Sequence, residues 1–315
     1  MKPITVRWVL AHDPIELFIR AAERFSEIVE EHAPGRFNIE VMTLSEYSAR
    51  YNNGKPVAKS ELLGLMASGQ LEMSQMYTYV LSQFNPDLNV LDLPFLFRDH
   101  DHAARVFEGK IGQSLLDGYS RNDSKIQGMA FTYSGGFKHL ALSEHADSIT
   151  DLANAKIRIS NSPVSKDTFD SLGAKPVNLE IEQLTRAMQD GTVDGGECTW
   201  PRLYSMGAEK VTRTVIDTEH SLLLTNIIIN SDFFSGLDPE LQAIMSTAAV
   251  EAARYERDIS VADVAPTTAR ALADGIKVIK LDNAQREQFR QATAHMYNKY
   301  ETEFTTGLID SIKAS

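Results

Sequence analysis

Ile15, Phe18, Ala22, Phe25 and Val29 recur at helical spacing, which predicts an amphipathic helix reaching about His32. Ahead of it, residues 4–10 are rich in β-branched and apolar side chains and read as a strand. Between the two lies a turn, with Asp13 placed to cap the helix and Pro14 at its first position. Pro34-Gly35 stops the helix, and residues 36–42 form a second strand. Strand, helix, strand is the opening of an α/β sheet.

The alternation continues. The pattern predicts a loose stretch at 45–57 around Asn52-Asn53-Gly54, a helix at 58–68, and a short strand at 72–76. Residues 91–97 are apolar but interrupted by Pro94, so they are expected to be a buried extended segment and not a central strand. A helix at 103–119 follows, then strands at 125–133 and 137–142 on either side of Ser134-Gly135-Gly136. The strand of Arg158, a helix near 164–171, a strand near 177 and a helix at 180–190 come next, with Gly191 as its C-cap. Strands are predicted at 211–217 and 222–230. A long helix follows from Asp238 to about Ala273, which Pro266 should kink or break. A strand at 276–279 and mostly helical residues at 283–312 close the chain. No repeat or low-complexity linker interrupts it, and a change of texture near 120–135 suggests a domain crossing.

Length changes the picture little: 315 residues suit about two domains. Charge changes it more. A net charge of −12, with no Lys/Arg run, argues against nucleic acid and anionic membrane surfaces as partners. No apolar run is long enough to span a membrane. The single cysteine, Cys198, excludes an internal disulfide and a multi-cysteine zinc site. The eight histidines show no metal-binding spacing, and the Gly-Gly pairs at 135–136 and 195–196 match neither phosphate-loop nor dinucleotide patterns. No cofactor and no metal are expected. No signal peptide precedes the first strand. Either the chain is cytoplasmic or it begins at a mature sequence behind an added Met.

The candidate chemistry lies in Lys156-Ile157-Arg158-Ile159-Ser160 and in Gly191-Thr192-Val193-Asp194-Gly195-Gly196-Glu197. On a strand, Ile157 and Ile159 face one side while Lys156, Arg158 and Ser160 face the other. A guanidinium delivered this way suits a carboxylate, which it grips with two parallel hydrogen bonds and without losing its charge. The Gly/Asp-rich turn leads into Glu197-Cys198-Thr199-Trp200, a strand edge aimed at the same crevice. His12 sits in the first strand-to-helix turn, where α/β clefts form. Tyr77, Tyr79, Tyr133, Phe137 and Trp200 are aromatic groups at strand ends, able to stack on a ligand or to pack in the core.

Residues 152–160, Leu172-Gly173-Ala174-Lys175-Pro176-Val177, and Ala187-Met188-Gln189-Asp190-Gly191-Thr192-Val193-Asp194-Gly195-Gly196-Glu197 resemble the solute-binding proteins of tripartite ATP-independent periplasmic (TRAP) transporters, the DctP type. Leu93-Pro94-Phe95-Leu96-Phe97, Thr218-Glu219-His220 and Leu237-Asp238-Pro239-Glu240 extend the resemblance in the same order. It implies an α/β, two-lobe periplasmic binding protein, class II-like, with an inter-lobe ligand cleft and a long domain-spanning helix. By this analogy lobe one is 1–125 plus 215–250, lobe two is 126–214 plus 251–282, and 283–315 packs across the lobes. The resemblance implies no catalysis. It implies capture of a small organic anion by hinge closure, delivery to TRAP membrane permease subunits, a periplasmic location and no membrane insertion. A monomer is the default.

The family's carboxylate clamp falls on Arg158, and a second basic position falls on Lys138, where sialate binders carry arginine. Cys198 falls where relatives line the pocket, and Glu197 where some hold a cation. Ligand contacts are therefore expected at Arg158, Lys138, His12, Cys198, Tyr133, Tyr77, Phe137, Trp200 and Ser160. Sugar acids, hydroxy acids and dicarboxylates all fit. Two rival classes stay open: an α/β enzyme acting on such an acid through Cys198, His12 or His220, and a binding module that signals to a receptor.

Overall fold

A computed structural model describes residues 2–12 and 15–315. The expected cap and helix-start residues, Asp13 and Pro14, lie outside the described residues. The first helix runs Glu16–His32 and buries Phe18, Ala22, Phe25 and Val29, the stripe read from the sequence. Eleven strands are found among the described residues: β1 Ile4–Leu10, β2 Phe37–Thr43, β3 Met73–Tyr77, β4 Ile126–Phe137, β5 His139–Leu142, β6 Lys156–Ile159, β7 Lys175–Asn178, β8 Gly195–Cys198, β9 Thr214–Asp217, β10 Leu222–Asn230 and β11 Lys277–Lys280.

They form two sheets. The first has the order β2-β1-β3-β10-β4. β1 pairs in parallel with β2 and β3, and β10 runs antiparallel to β3. Trp8 on β1 packs edge-on against Phe25 of the first helix at 5.2 Å, which seats that helix on the sheet. The second sheet has the order β11-β9-β5-β8-β6-β7. Its β5 runs antiparallel to β8 and β9, while β6 is parallel to both β7 and β8.

The chain separates into two compact units. One comprises the chain up to Asn85, Phe107–Tyr133 and Leu224–Ile259; the other comprises Pro86–Val106, Ser134–Leu223 and Ser260–Ser315. The family resemblance implied divisions at 125/126 and 214/215. The units divide instead at 133/134 and 223/224, inside the continuous strands β4 and β10. They also group 86–106 and 283–315 with the second unit.

Three local differences have physical reasons. Residues 44–51, read as loose, form a helix opened by a reciprocal capping box: Glu46 N–H donates to Thr43 Oγ1, and Thr43 N–H to the Glu46 carboxylate. The two strands expected on either side of Ser134-Gly135-Gly136 are β4 and β5, but the break falls at Lys138: β4 runs on through the glycines to Phe137, with Gly135 and Gly136 at φ of 94° and 87°. The helix expected at 103–119 breaks at Gly109 into His100–Glu108 and Lys110–Asp117. The long helix breaks as Pro266 was expected to make it: it ends at Ala262 and resumes over Val264–Ala273, because Pro266 has no N–H to offer the carbonyl four residues back.

The β5–β8 pairing leaves no room for a side chain at Gly195. A Cβ there would stand 2.4 Å from the Ala141 carbonyl oxygen and 3.0 Å from Leu142 Cα. Backbone on the neighbouring strand cannot retreat without breaking the ladder. Gly195→Ala is therefore expected to destabilise the protein by about 1–3 kcal/mol, as overpacking does. Urea unfolding at neutral pH measures it, and an unchanged midpoint would contradict the argument.

Candidate functional site

Strand β6 does what its alternation requires. Ile157 and Ile159 enter an apolar cluster with Leu140, Leu152, Phe169 and Phe289. Arg158 points to the other face and is 1% exposed. Its Nε–H donates to the Leu179 carbonyl at 2.7 Å. Its Nη2 is buried and has no hydrogen-bond partner among the described residues. A buried donor left without a partner costs about 1–3 kcal/mol, more for a charged group, so such groups mark places that something else fills. Across the parallel pair, Arg158 stands opposite Gly196. A Cβ at Gly196 would come 2.8 Å from Arg158 Cβ and 2.7 Å from Leu184 Cδ1. The Gly-Gly sequence thus serves close strand packing beside the arginine.

The next residue, Glu197, organises a buried polar cluster. Lys138 Nζ lies 3.2 Å from Glu197 Oε1 and 3.7 Å from Asp92 Oδ1. His220 Nε2 lies 3.0 Å from the same Oε1, and the Ser165 hydroxyl donates to Oε2 at 3.2 Å. Thr218 Oγ1 is 2.7 Å from His220 Nδ1. Burial favours protonation of Glu197, but the Lys138 charge, the His220 hydrogen bond and Arg158 outweigh it and hold the carboxyl far below its ordinary range. Burial pushes Lys138 down, while Glu197 and Asp92 more than offset it, so the ammonium stays charged. Burial keeps His220 below its ordinary value despite Glu197. A neutral His220 then donates from Nε2 to Glu197 and accepts the Thr218 hydroxyl at Nδ1.

Lys138 is thus held by two carboxylates, and the structure gives it a partner set that the sequence reading had reserved for a ligand. Among the described residues Arg158 has no carboxylate within ion-pair distance.

Cys198 and Trp200 also fall elsewhere than expected. Both belong to an apolar cluster with Leu184, Leu203 and Val215. Cys198 Sγ lies 3.2 Å from His139 Nε2, and burial pushes the thiol up to about 12. A thiol so placed is no nucleophile at neutral pH. Trp200 packs against the His139 ring at 4.5 Å. Phe137 is half-buried against His100 at 4.8 Å, and Ser160 is buried just past the end of β6.

The other three expected residues belong to the first unit. His12 is buried, 4.3 Å from the Tyr77 ring and stacked on Phe18 at 5.3 Å. Its Nδ1 is 3.3 Å from Lys59 Nζ. Tyr77 stacks on Tyr79 at 5.3 Å. Tyr133, the last residue of this unit along β4, is buried. Its backbone N–H donates to Glu256 Oε2 at 2.7 Å, and burial raises its phenol. At the ends of β1 and β2 lies an open cavity of about 480 Å³, lined among others by Leu10, Ala11, Leu44 and Val57.

The sequence reading missed the roles of Asp92, Ser165 and Thr218. Nothing in their local sequence marks them, because each reaches its partner from a different part of the chain. Among the described residues no group of three or more His, Cys, Asp or Glu is placed to hold a metal ion, and no helix is long and apolar enough to cross a membrane.

The profile of the family described as bacterial extracellular solute-binding protein, family 7 (DctP), matches residues 11–303, and the chain belongs to that family. It is a solute-binding protein and not an enzyme.

The C4-dicarboxylate-binding periplasmic protein DctP of Rhodobacter capsulatus is 28% identical over 82% of this chain and 74% of its own length. A TRAP periplasmic solute-binding protein from Polaromonas sp. JS666, bound to D-erythronate, superposes with a TM-score of 0.85. It is 26% identical and covers 99% of this chain and 98% of that one. A TRAP periplasmic solute-binding protein from Pseudomonas putida F1, with bound D-glucuronate, gives the same TM-score at 24% identity, covering 99% and 97%. The fold is the two-lobe fold of those proteins.

Proposed function

We propose that this protein is the periplasmic receptor of a TRAP transporter, that it captures a small organic acid, and that it passes the acid to membrane permease subunits. The observation that carries this reading is Arg158: a guanidinium 1% exposed, with one donor spent on Leu179 and Nη2 without a partner. A ligand carboxylate supplies the missing acceptor and the counter-charge together. Relatives that bind C4-dicarboxylate and D-erythronate support the acid class.

The test is calorimetric titration of the whole protein against a panel of organic acids, with Arg158→Ala alongside. Charge-assisted hydrogen bonds contribute about 1.5–3 kcal/mol each, so the variant is expected to bind the best acid about 10- to 150-fold more weakly. An acid that binds both proteins equally well would remove Arg158 from the site and the reading with it.

A further inference from the structure

We infer that Lys138 is a positioning residue and not a ligand group: with Glu197 and Asp92 it sets the charge around Arg158 from the opposite face of the second sheet, and so sets how strongly the guanidinium holds an acid. This rests on the reading of Arg158 as the carboxylate clamp, and every residue it uses belongs to the second unit.

The strand registers separate the two cations. Arg158 stands opposite Gly196 in the parallel β6–β8 pair, and partners in register share a face. Cys198, two residues beyond Gly196, is on that face too. Glu197 falls between them and leaves β8 on the other face. Its partner His220 is there as well. The His220 ring meets Phe169 edge-on at 5.9 Å and stacks on Phe289 at 5.6 Å. Both phenylalanines pack with Ile157 and Ile159, the side of β6 that Arg158 turns away from. Lys138, just ahead of β5, reaches Glu197 on that same face, while the next residue, His139, pairs with Cys198 on the Arg158 side. The ammonium and the guanidinium thus lie on opposite faces. For Lys138 to grip a ligand it would have to leave Glu197 at 3.2 Å and Asp92 at 3.7 Å and strand two carboxylates.

Charge crosses the sheet where hydrogen bonds do not. Burial raises the Glu197 carboxyl, Lys138 and His220 lower it most, and Arg158 lowers it further. Burial lowers Lys138, Glu197 and Asp92 raise it, and Arg158 opposes them. Buried surroundings carry a unit charge over distances at which water and salt would screen it. The sum is balanced. Two cations, Arg158 and Lys138, stand against two carboxylates, Glu197 and Asp92, with a neutral His220 beside them. Without Lys138, the field of both carboxylates falls on Arg158 and repels an incoming acid. Without Glu197, the Lys138 charge is partly released and adds to that of Arg158. The lysine therefore acts on the acid through the carboxylates it neutralises, from the far side of the strands.

The test is calorimetric titration of the whole protein with succinate, D-erythronate and D-glucuronate, repeated with Lys138→Met, Glu197→Gln, the double variant and Arg158→Ala. Thermal unfolding checks that each variant is folded at the titration temperature. For the tightest of the three acids, Lys138→Met is expected to bind about fivefold or more weakly than the unsubstituted protein, Glu197→Gln about fivefold or more tightly, and the double variant within about twofold of it. Opposite signs are the signature of charge, since a purely structural role weakens binding in both single variants. If Glu197→Gln does not fold, Asp92→Asn, at the less buried carboxylate, is expected to tighten binding in its place. A double variant as weak as Lys138→Met would make Lys138 a ligand contact and overturn the inference. Unchanged binding in Lys138→Met, or binding that is not tighter in Glu197→Gln or its substitute, would overturn it too. Arg158→Ala separates it from the reading on which it rests. If Arg158→Ala loses binding while the other variants bind like the unsubstituted protein, the clamp stands and the inference falls. If Arg158→Ala binds equally well, or none of the three acids binds, both fall.

Discussion

Glu197→Ala is expected to lower the unfolding free energy by about 3–5 kcal/mol, a fall in Tm on the order of 10 °C for a unit of this size. The carboxylate is 3% exposed and serves Lys138, His220 and Ser165. Without it, the buried Lys138 ammonium keeps only the more distant and more exposed Asp92, and the His220 Nε2–H loses its acceptor. An unpaired buried charge is what makes such a deletion costly; the pair itself contributes far less net stability. The same reasoning predicts the double variant. Lys138→Met with Glu197→Gln removes both charges and keeps an acceptor for His220. It should be more stable than either single variant, with a coupling energy of about 0.5–3 kcal/mol. Urea titrations of the four proteins close the cycle. Losses that simply add would show that Lys138 and Glu197 do not act as a pair.

That cluster also marks where the sequence stops being legible. The strand of Arg158 could be read directly, because a period of two puts Ile157 and Ile159 on one face and Arg158 on the other. The first helix was equally plain from its apolar stripe. The fate of Lys138 was not. Whether a lysine after two glycines meets a ligand or a carboxylate depends on Asp92, Glu197 and His220, which the fold brings together from three separate segments. Cys198 followed the bland alternative for a lone cysteine, packing beside His139 in an apolar cluster. The helix at 44–51 was written in the chain as Thr43-Leu44-Ser45-Glu46, a capping box that the neighbouring Asn52-Asn53-Gly54 outweighed in the reading. The cavity that this helix helps to wall had no sequence signal at all, since it exists only once β1, β2 and residues 54–57 meet. Family membership came from ordered motifs along the chain, which survive changes in any one side chain.

Acid should weaken this protein before its exposed carboxylates are titrated. His139 is buried between Cys198 and Trp200, its Nδ1 has no partner, and burial together with the field of His220 holds it at about 3. An unfolded histidine titrates near 6.5. Below that pH the unfolded chain takes up a proton that the folded chain refuses, so stability is full above pH 6.5 and declines as pH falls. The slope is about 1.4 kcal/mol per pH unit for each such imidazole, and His139 alone accounts for roughly 4–5 kcal/mol by pH 3. His220 is lowered as well and adds to the slope in the same direction. Glu197 contributes from below 4.5, where its unfolded carboxyl protonates and the folded one stays ionised. These groups all lose stability with acid, and Asp217, which burial raises to about 6, offsets part of the loss because its folded carboxyl takes up a proton first. Urea midpoints between pH 8 and 4 should therefore be flat at first and then fall. His139→Gln should flatten the fall between pH 6 and 4 by about one proton, whatever the variant costs at pH 8. Parallel curves for the two proteins would mean that His139 titrates in the native state near its ordinary value.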